Sequence, residues 1–268
     1  MKVLVCDPIH EDGINILKDA GFEIDINPNI SYEELKERVK DYDVLVVRSR
    51  TKVTREIIEA GEKLKIVGRA GAGIDNIDVE AAKERGIKVL NTPEAPAIAV
   101  AELTIGLLLS LARQIPRADS SMKEGRWAKK EFRGWQLNGK TFGVIGLGHI
   151  GEKVAKLAKA FGMKILITKR TPPSPEILKE LEAEFVSLDE LLRRSDIVSL
   201  HVPLTPQTHH MIGEREIQLM KDGAFLINTS RGAVVDEKAL FNALKSGKLG
   251  GAALDVYEME PPKDYSLM

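Results

Sequence analysis

One cysteine, Cys6, stands among 268 residues, so neither an intrachain disulfide nor a cluster of thiolate metal ligands can form. No metal site is expected, and Cys6 reads as a packed thiol in the first strand. Neither sign of charge is in excess. Lys plus Arg is 39 against 40 for Asp plus Glu, a net charge of −1, which removes the electrostatic case for nucleic acid or an anionic membrane as the main partner. A long uninterrupted apolar run is also missing. The stretch from Ala95 to Ala112 is broken by Pro96, Glu102, Thr104 and Ser110 and reads as a buried helix. The apolar run Val3-Leu4-Val5-Cys6 is too short for a signal peptide. There is no short-period repeat and no low-complexity tract. With 43% hydrophobic and 29% charged residues, the composition is that of a globular chain, expected in the cytoplasm.

What is present is alternation. Short β-branched runs at Val3–Cys6, Phe22–Ile26, Val44–Val47, Lys65–Val67 and Lys88–Leu90 are separated by amphipathic stretches. That order predicts α/β architecture with parallel strands. Ser31 with Glu34 forms a capping box, and Gly21 and Gly86 fall where a helix C-terminus wants positive φ. Prolines 93 and 96 mark a boundary. A long helix follows over Ala97–Arg113, packing on another element or another subunit, and Pro116 ends or kinks it. After a polar stretch at Met122–Trp127 a second series begins, with strands at Thr141–Ile145, Lys164–Thr168, Ile197–His201, Ala224–Asn228 and Gly251–Asp255. Ser187, paired with Glu190, and Asp236 open helices in this half, and Thr171–Pro175 reads as a rigid surface loop. The expectation is two doubly wound parallel sheets.

The turn Gly146-Leu147-Gly148-His149-Ile150-Gly151 follows a predicted strand and opens a predicted helix. Gly146 permits the tight turn, Gly148 lets backbone approach a pyrophosphate, and Gly151 lets the helix pack on the strand. The helix N-terminus then offers unpaired N–H groups and a favourable dipole to the phosphates. An acidic residue roughly 20 positions further on would bind the adenine ribose of NAD. Here the second strand ends Thr168-Lys169-Arg170 with no acid, and two cations suit the 2′-phosphate of NADP. The cofactor is therefore read as NAD or NADP.

These residues, with Val47-Arg48-Ser49, Gly68-Arg69-Ala70-Gly71-Ala72-Gly73-Ile74-Asp75-Asn76, Asn91-Thr92-Pro93, His201-Val202-Pro203-Leu204-Thr205, Asn228-Thr229-Ser230-Arg231-Gly232 and Leu254-Asp255-Val256, carry a resemblance. The chain resembles the D-2-hydroxyacid dehydrogenases over essentially its whole length. The resemblance implies two Rossmann/flavodoxin-like domains, a substrate-binding domain at residues 1–93 and a dinucleotide-binding domain at residues 94–268, with the active site in the cleft between them. It also implies a homodimer formed through the second domain. The implied reaction is hydride transfer between nicotinamide and a D-2-hydroxy acid, a phosphorylated one in first place: D-3-phosphoglycerate to 3-phosphohydroxypyruvate at the head of serine synthesis. Reduction of glyoxylate or hydroxypyruvate is the other enzymatic reading. Dinucleotide sensing without catalysis is the reading from a different class.

By the same resemblance Arg231 is the catalytic cation, binding the substrate carboxylate and stabilising charge on the oxygen. Glu260 is the acid that pairs with the catalytic histidine, orienting it and raising its pKa. Gly71, Ala72 and Gly73 form an anion-binding nest of backbone N–H groups, and Arg48 and Arg69 anchor the anionic end of the substrate. Gly146, Gly148, His149, Ile150, Gly151, Lys169, Arg170, Val202, Thr229, Ser230, Arg231 and Asp255 are the cofactor contacts. The family's histidine lies downstream of this glutamate in a Pro-His-(Ile/Leu)-Gly context. All five histidines here, His10, His149, His201, His209 and His210, precede Glu260, and none is read as the missing acid. The expectation is that the 268 residues are a fragment of a longer protein.

Overall fold

Alternation decides the first sheet. In β1 (Lys2–Val5) the side chains of Val3 and Val5 join one apolar cluster, while Leu4 and the following Cys6 join another. All four are fully buried. A strand buried on both faces needs helices on both, which is the setting of parallel sheets. The computed structural model describes residues 1–263 and residue 267 and divides the chain into two units, Met1–Pro96 and Ala97–Met268.

In the first unit β1 is joined by β2 (Glu23–Ile26), β3 (Val44–Val47), β4 (Ile66–Arg69) and β5 (Lys88–Asn91), all parallel, in the order β2-β1-β3-β4-β5. Helix α1 (Glu11–Asp19) covers the Val3–Val5 face through Ile14 and Leu17. The other face is covered by α2 (Tyr32–Arg38), α3 (Arg55–Ala60) and α4 (Val79–Glu84), which bury Leu35, Ile57, Ile58, Ala81 and Ala82. Ser31 caps α2 by accepting the Glu34 N–H at 3.2 Å. The Glu34 carboxylate turns instead to Asn27 and Arg38, so only one arm of the expected capping box is made. Gly21 and Gly86 sit at φ of 79° and 69° beyond their helices.

The second unit opens with α5 (Ala97–Arg113) and α6 (Ile115–Lys123). Its strands are β6 (Thr141–Ile145), β7 (Lys164–Thr168), β8 (Ala183–Phe185), β9 (Ile197–Leu200), β10 (Ala224–Asn228) and β11 (Leu249–Leu254). They form a parallel sheet in the order β8-β7-β6-β9-β10-β11. Helices α7 (His149–Ala160) and α8 (Pro175–Leu181) cover one face together with α5; α9 (Leu188–Arg194), α10 (Glu214–Leu219) and α11 (Glu237–Ser246) cover the other. Ala101 and Ala112 of α5 share a cluster with Ala155 and Ala158 of α7, and such small residues let two helices approach closely. No single helix among the described residues is long and apolar enough to cross a membrane.

Three details add to the sequence reading. Helix α5 stops at Arg113, Gln114 takes a left-handed φ of 52°, and Pro116 lies in the first turn of α6, bent 65° from α5. A proline fits a first turn because its missing N–H is unpaired there anyway. The expected rigid loop ends at Ser174, whose hydroxyl accepts the Ile177 N–H, and Pro175 opens α8 by the same rule. Strand β8, at three residues, is too short for a periodic signal.

Candidate functional site

The three glycines after β6 have three separate reasons to be glycine. Gly146 sits at φ 95°, and a Cβ there would stand 2.5 Å from the His201 carbonyl oxygen. At Gly151 a Cβ would stand 2.1 Å from the Gly146 carbonyl oxygen, so α7 packs directly on the turn. At Gly148 a Cβ would meet nothing within 4 Å, and the residue is exposed. Its backbone is therefore bare to an incoming group. The first hydrogen bond of α7 runs from Glu152 N–H to the Gly148 carbonyl at 3.0 Å. The N–H groups of His149, Ile150 and Gly151 precede that bond and point out of the helix end. The turn lies at the C-terminal end of β6, flanked by β7 and β9, where the strand order switches direction.

Neighbouring strand ends complete the surroundings. Lys169, just past β7, donates from Nζ to the Leu147 carbonyl at 3.3 Å, bringing its charge to the glycine turn, while Arg170 is exposed. Past β9, His201 is half-buried, with Nε2 hydrogen-bonded to Ser199 Oγ at 2.9 Å. Burial pushes its pKa down to about 4, so the ring is neutral at pH 7. Val202 follows, its Cγ1 2.8 Å from where a Gly146 Cβ would be.

The end of β10 is shaped by Asn228, which is almost fully buried. Its Oδ1 accepts from the Ser230 N–H at 3.0 Å and the Ser230 hydroxyl at 2.8 Å, and its Nδ2 donates to the Arg231 carbonyl at 2.9 Å. One side chain thus folds the turn that carries Arg231. Arg231 Nη1 donates to the Ser230 carbonyl at 2.6 Å. Thr229 shares a 3.0 Å hydrogen bond with Thr104, a fully buried hydroxyl inside apolar α5 that also donates to the Val100 carbonyl. Neither Asn228 nor Thr104 was assigned a role from sequence. The only sign of Thr104 there is its interruption of an apolar run.

Gly232 presses on the segment after β11: a Cβ would stand 1.9 Å from the Tyr257 carbonyl carbon. That segment is clasped to the start of α11, since Glu258 N–H donates to Glu237 Oε1 at 2.7 Å and Glu237 N–H donates to Glu258 Oε1 at 3.2 Å. His210 Nε2 lies 2.9 Å from the same Glu258 oxygen. Among the described residues Glu258 and His210 form a glutamate–histidine contact, and Glu260 accepts the Tyr257 N–H at 3.1 Å. Asp255 donates its N–H to the Asn228 carbonyl at 3.0 Å. Its carboxyl pKa is raised by desolvation and then by the charge of Glu260.

In the first unit, Arg48 follows β3 with an exposed side chain whose Nη1 donates to the Pro8 carbonyl at 3.3 Å. Arg69 ends β4 and folds back over Gly71, where a Cβ would meet its guanidinium at 2.0 Å. The nest expected at Gly71, Ala72 and Gly73 is corrected in one member. The Gly71 N–H turns inward to the Arg69 carbonyl at 2.9 Å, closing a tight turn, and so is not offered to a ligand. The Gly71 and Ala72 carbonyls are held by the Thr92 N–H and the Asn91 side chain.

Comparison with known proteins agrees with this geometry. A family model described as "D-isomer specific 2-hydroxyacid dehydrogenase, NAD binding domain" matches residues 105–268. A D-3-phosphoglycerate dehydrogenase of Methanocaldococcus jannaschii is 55% identical over 269 residues, covering 100% of this chain and 51% of its own length. A hydroxypyruvate reductase of Thermotoga maritima is 51% identical over 264 residues, covering 98% of this chain and 85% of its own. The solved structure of a glyoxylate reductase from Paecilomyes thermophila superposes with a TM-score of 0.93 at 37% identity, covering 100% of this chain and 84% of its own. The chain spans about half the length of the phosphoglycerate dehydrogenase it matches.

Proposed function

The chain belongs to the D-isomer specific 2-hydroxyacid dehydrogenases, and from that premise we propose that it transfers a hydride between NAD and C2 of a D-2-hydroxy acid, D-3-phosphoglycerate before others. The observation that carries the reading is the bare backbone at Gly148, flanked by one glycine that makes the turn and another that seats the helix. Those residues fit a dinucleotide: the outward N–H groups of His149, Ile150 and Gly151 would hold its pyrophosphate. NAD, when bound, supplies the hydride acceptor or donor.

The protein's own part is to bind, orient and stabilise charge. Arg231, set by Asn228, takes the substrate carboxylate and stabilises charge on the C2 oxygen. Glu260 orients the group that carries the hydroxyl proton. Val202, Thr229, Ser230 and Asp255 line the nicotinamide side. Arg48 and Arg69, with the N–H groups of Ala72 and Gly73, take the anionic end of the acid. Lys169 and Arg170, where no acid stands, let NADP serve as well as NAD. The assembly is a homodimer through α5, which leaves Ile98 and Leu103 exposed, and the reaction begins serine synthesis.

A second reading, reduction of hydroxypyruvate or glyoxylate, is favoured by the Thermotoga maritima relative, of which this chain covers 85%. The purified chain is tested with NADH and NADPH against 3-phosphohydroxypyruvate, hydroxypyruvate and glyoxylate. The expected result is the highest kcat/KM on the phosphorylated acid. Glyoxylate well above it moves the assignment to the reductases, and tight NADH binding without turnover on any 2-oxo acid moves it to a dinucleotide sensor.

A further inference from the structure

Arg48-Ser49-Arg50 sets two guanidinium groups two positions apart just after β3, and they are used differently. Arg50 is a brace. Its Nε donates to Asp7 Oδ1 at 2.9 Å, its Nη1 to the Ile30 carbonyl at 3.2 Å, and its Nη2 to the Cys6 and Pro28 carbonyls at 2.6 and 2.9 Å. Arg48 remains exposed. The loop between them is gripped from both sides. Asp7, 1% exposed, accepts the Arg48 N–H at 2.6 Å and the Thr51 N–H at 3.3 Å on Oδ2. Asn76 Nδ2 donates to the Arg48 and Thr51 carbonyls, both at 2.7 Å. The donors and acceptors of the same two residues thus end on one carboxylate and one amide.

We propose that Asp7 and Asn76 are positioning residues that fix the backbone of residues 48–51 so that Arg48, and not Arg50, meets the anionic end of the substrate. This rests on the proposed function, in which Arg48 is an anchor. Packing alone does not account for the pair. Asn76 leaves its own buried Oδ1 without a partner among the described residues, an arrangement that native proteins rarely keep. The Asp7 carboxylate is buried while the Arg50 guanidinium that pairs with it is half exposed, and a buried carboxylate held by two backbone N–H groups fixes one arrangement of the chain. With Asp7 neutralised by Arg50, the cation that the loop presents is Arg48. Holding it in place before binding removes the ordering cost from the binding step.

The test measures the dissociation constant of D-3-phosphoglycerate by calorimetry on the whole chain, as wild type, Asp7→Asn, Arg48→Gln and the double variant. Each single change is expected to weaken binding by about tenfold, and the double variant to be no weaker than Arg48→Gln, because a residue acting only through Arg48 has nothing left to position. D-glycerate, which lacks the phosphate, is expected to show less than about a twofold change in any variant. Should Asp7→Asn fail to fold, Asn76→Ala takes its place in the same cycle. Effects that multiply in the double variant, wild-type affinity in Arg48→Gln, or no measurable binding by the wild type would each overturn the proposal. A chain that shows the expected cycle but binds no NADH refutes the proposed function and leaves the positioning role standing; NADH binding with multiplying effects does the reverse.

Discussion

Both units are doubly wound parallel sheets with their first strand in the interior, yet the turns that follow those strands have opposite chemistry. After β1 comes Asp7-Pro8: a buried carboxylate, then a residue with no N–H to give. Helix α1 begins with Glu11 and Asp12, whose charges fill the place a phosphate would take at a helix N-terminus. After β6 comes Gly146-Leu147-Gly148, with bare backbone and outward N–H groups. The same topology therefore carries an acidic, proline-marked turn in one unit and a bare glycine turn in the other. Chemistry lives in the turn and not in the sheet.

The sharpest attack on this contrast is Gly151→Ala, which sets a methyl group 2.1 Å from the Gly146 carbonyl oxygen. Loss of NADH binding in a fluorescence titration is expected, with destabilisation of about 2–4 kcal/mol in thermal melts. Undiminished NADH affinity would show that the turn is not the binding element. Next, Arg231→Gln should lower kcat by about 10²–10³-fold in steady-state assays, as loss of a charge-stabilising donor does. NADH affinity should fall far less than kcat, so that chemistry and cofactor binding separate within one unit.

Acid separates the units more gently. His201, held near 4 against an ordinary 6.5, stays neutral in the folded chain while the unfolded chain takes up a proton. Its contribution is complete above pH 6.5 and is lost as pH falls towards 4. The first unit's one histidine, His10, is exposed. Melting temperatures between pH 7 and 4 should fall more steeply for wild type than for His201→Gln; equal slopes would remove the distinction. The smallest effect is expected from Thr104→Val, which deletes the hydroxyl shared with Thr229 at about 1 kcal/mol in denaturant titrations, with α5 otherwise intact.

Much of this was legible because the signals are local. Val3 to Cys6 announce a strand buried on both faces within four letters, and the glycine turn carries its strand and helix beside it. Pro116 left two readings open, an end or a kink, because the same residue can close one helix or open the next, and the left-handed Gln114 decides between them. Gly71 was read as a donor, since a glycine shows where a chain can bend but not which way its N–H turns. Asp7, Asn76 and Thr104 were silent for another reason. Asp7 meets Thr51 across 44 positions and Thr104 meets Thr229 across 125, and no window of sequence spans such distances.

The contact at Gly232 joins the fates of the two residues proposed to stabilise charge and to orient the proton carrier. The peptide beside Arg231 lies flush against the strip that leads to Glu260, with no room for even a methyl group. Neither segment can shift alone; a side chain at that single achiral residue would displace the peptides bearing Arg231 and Glu260 together.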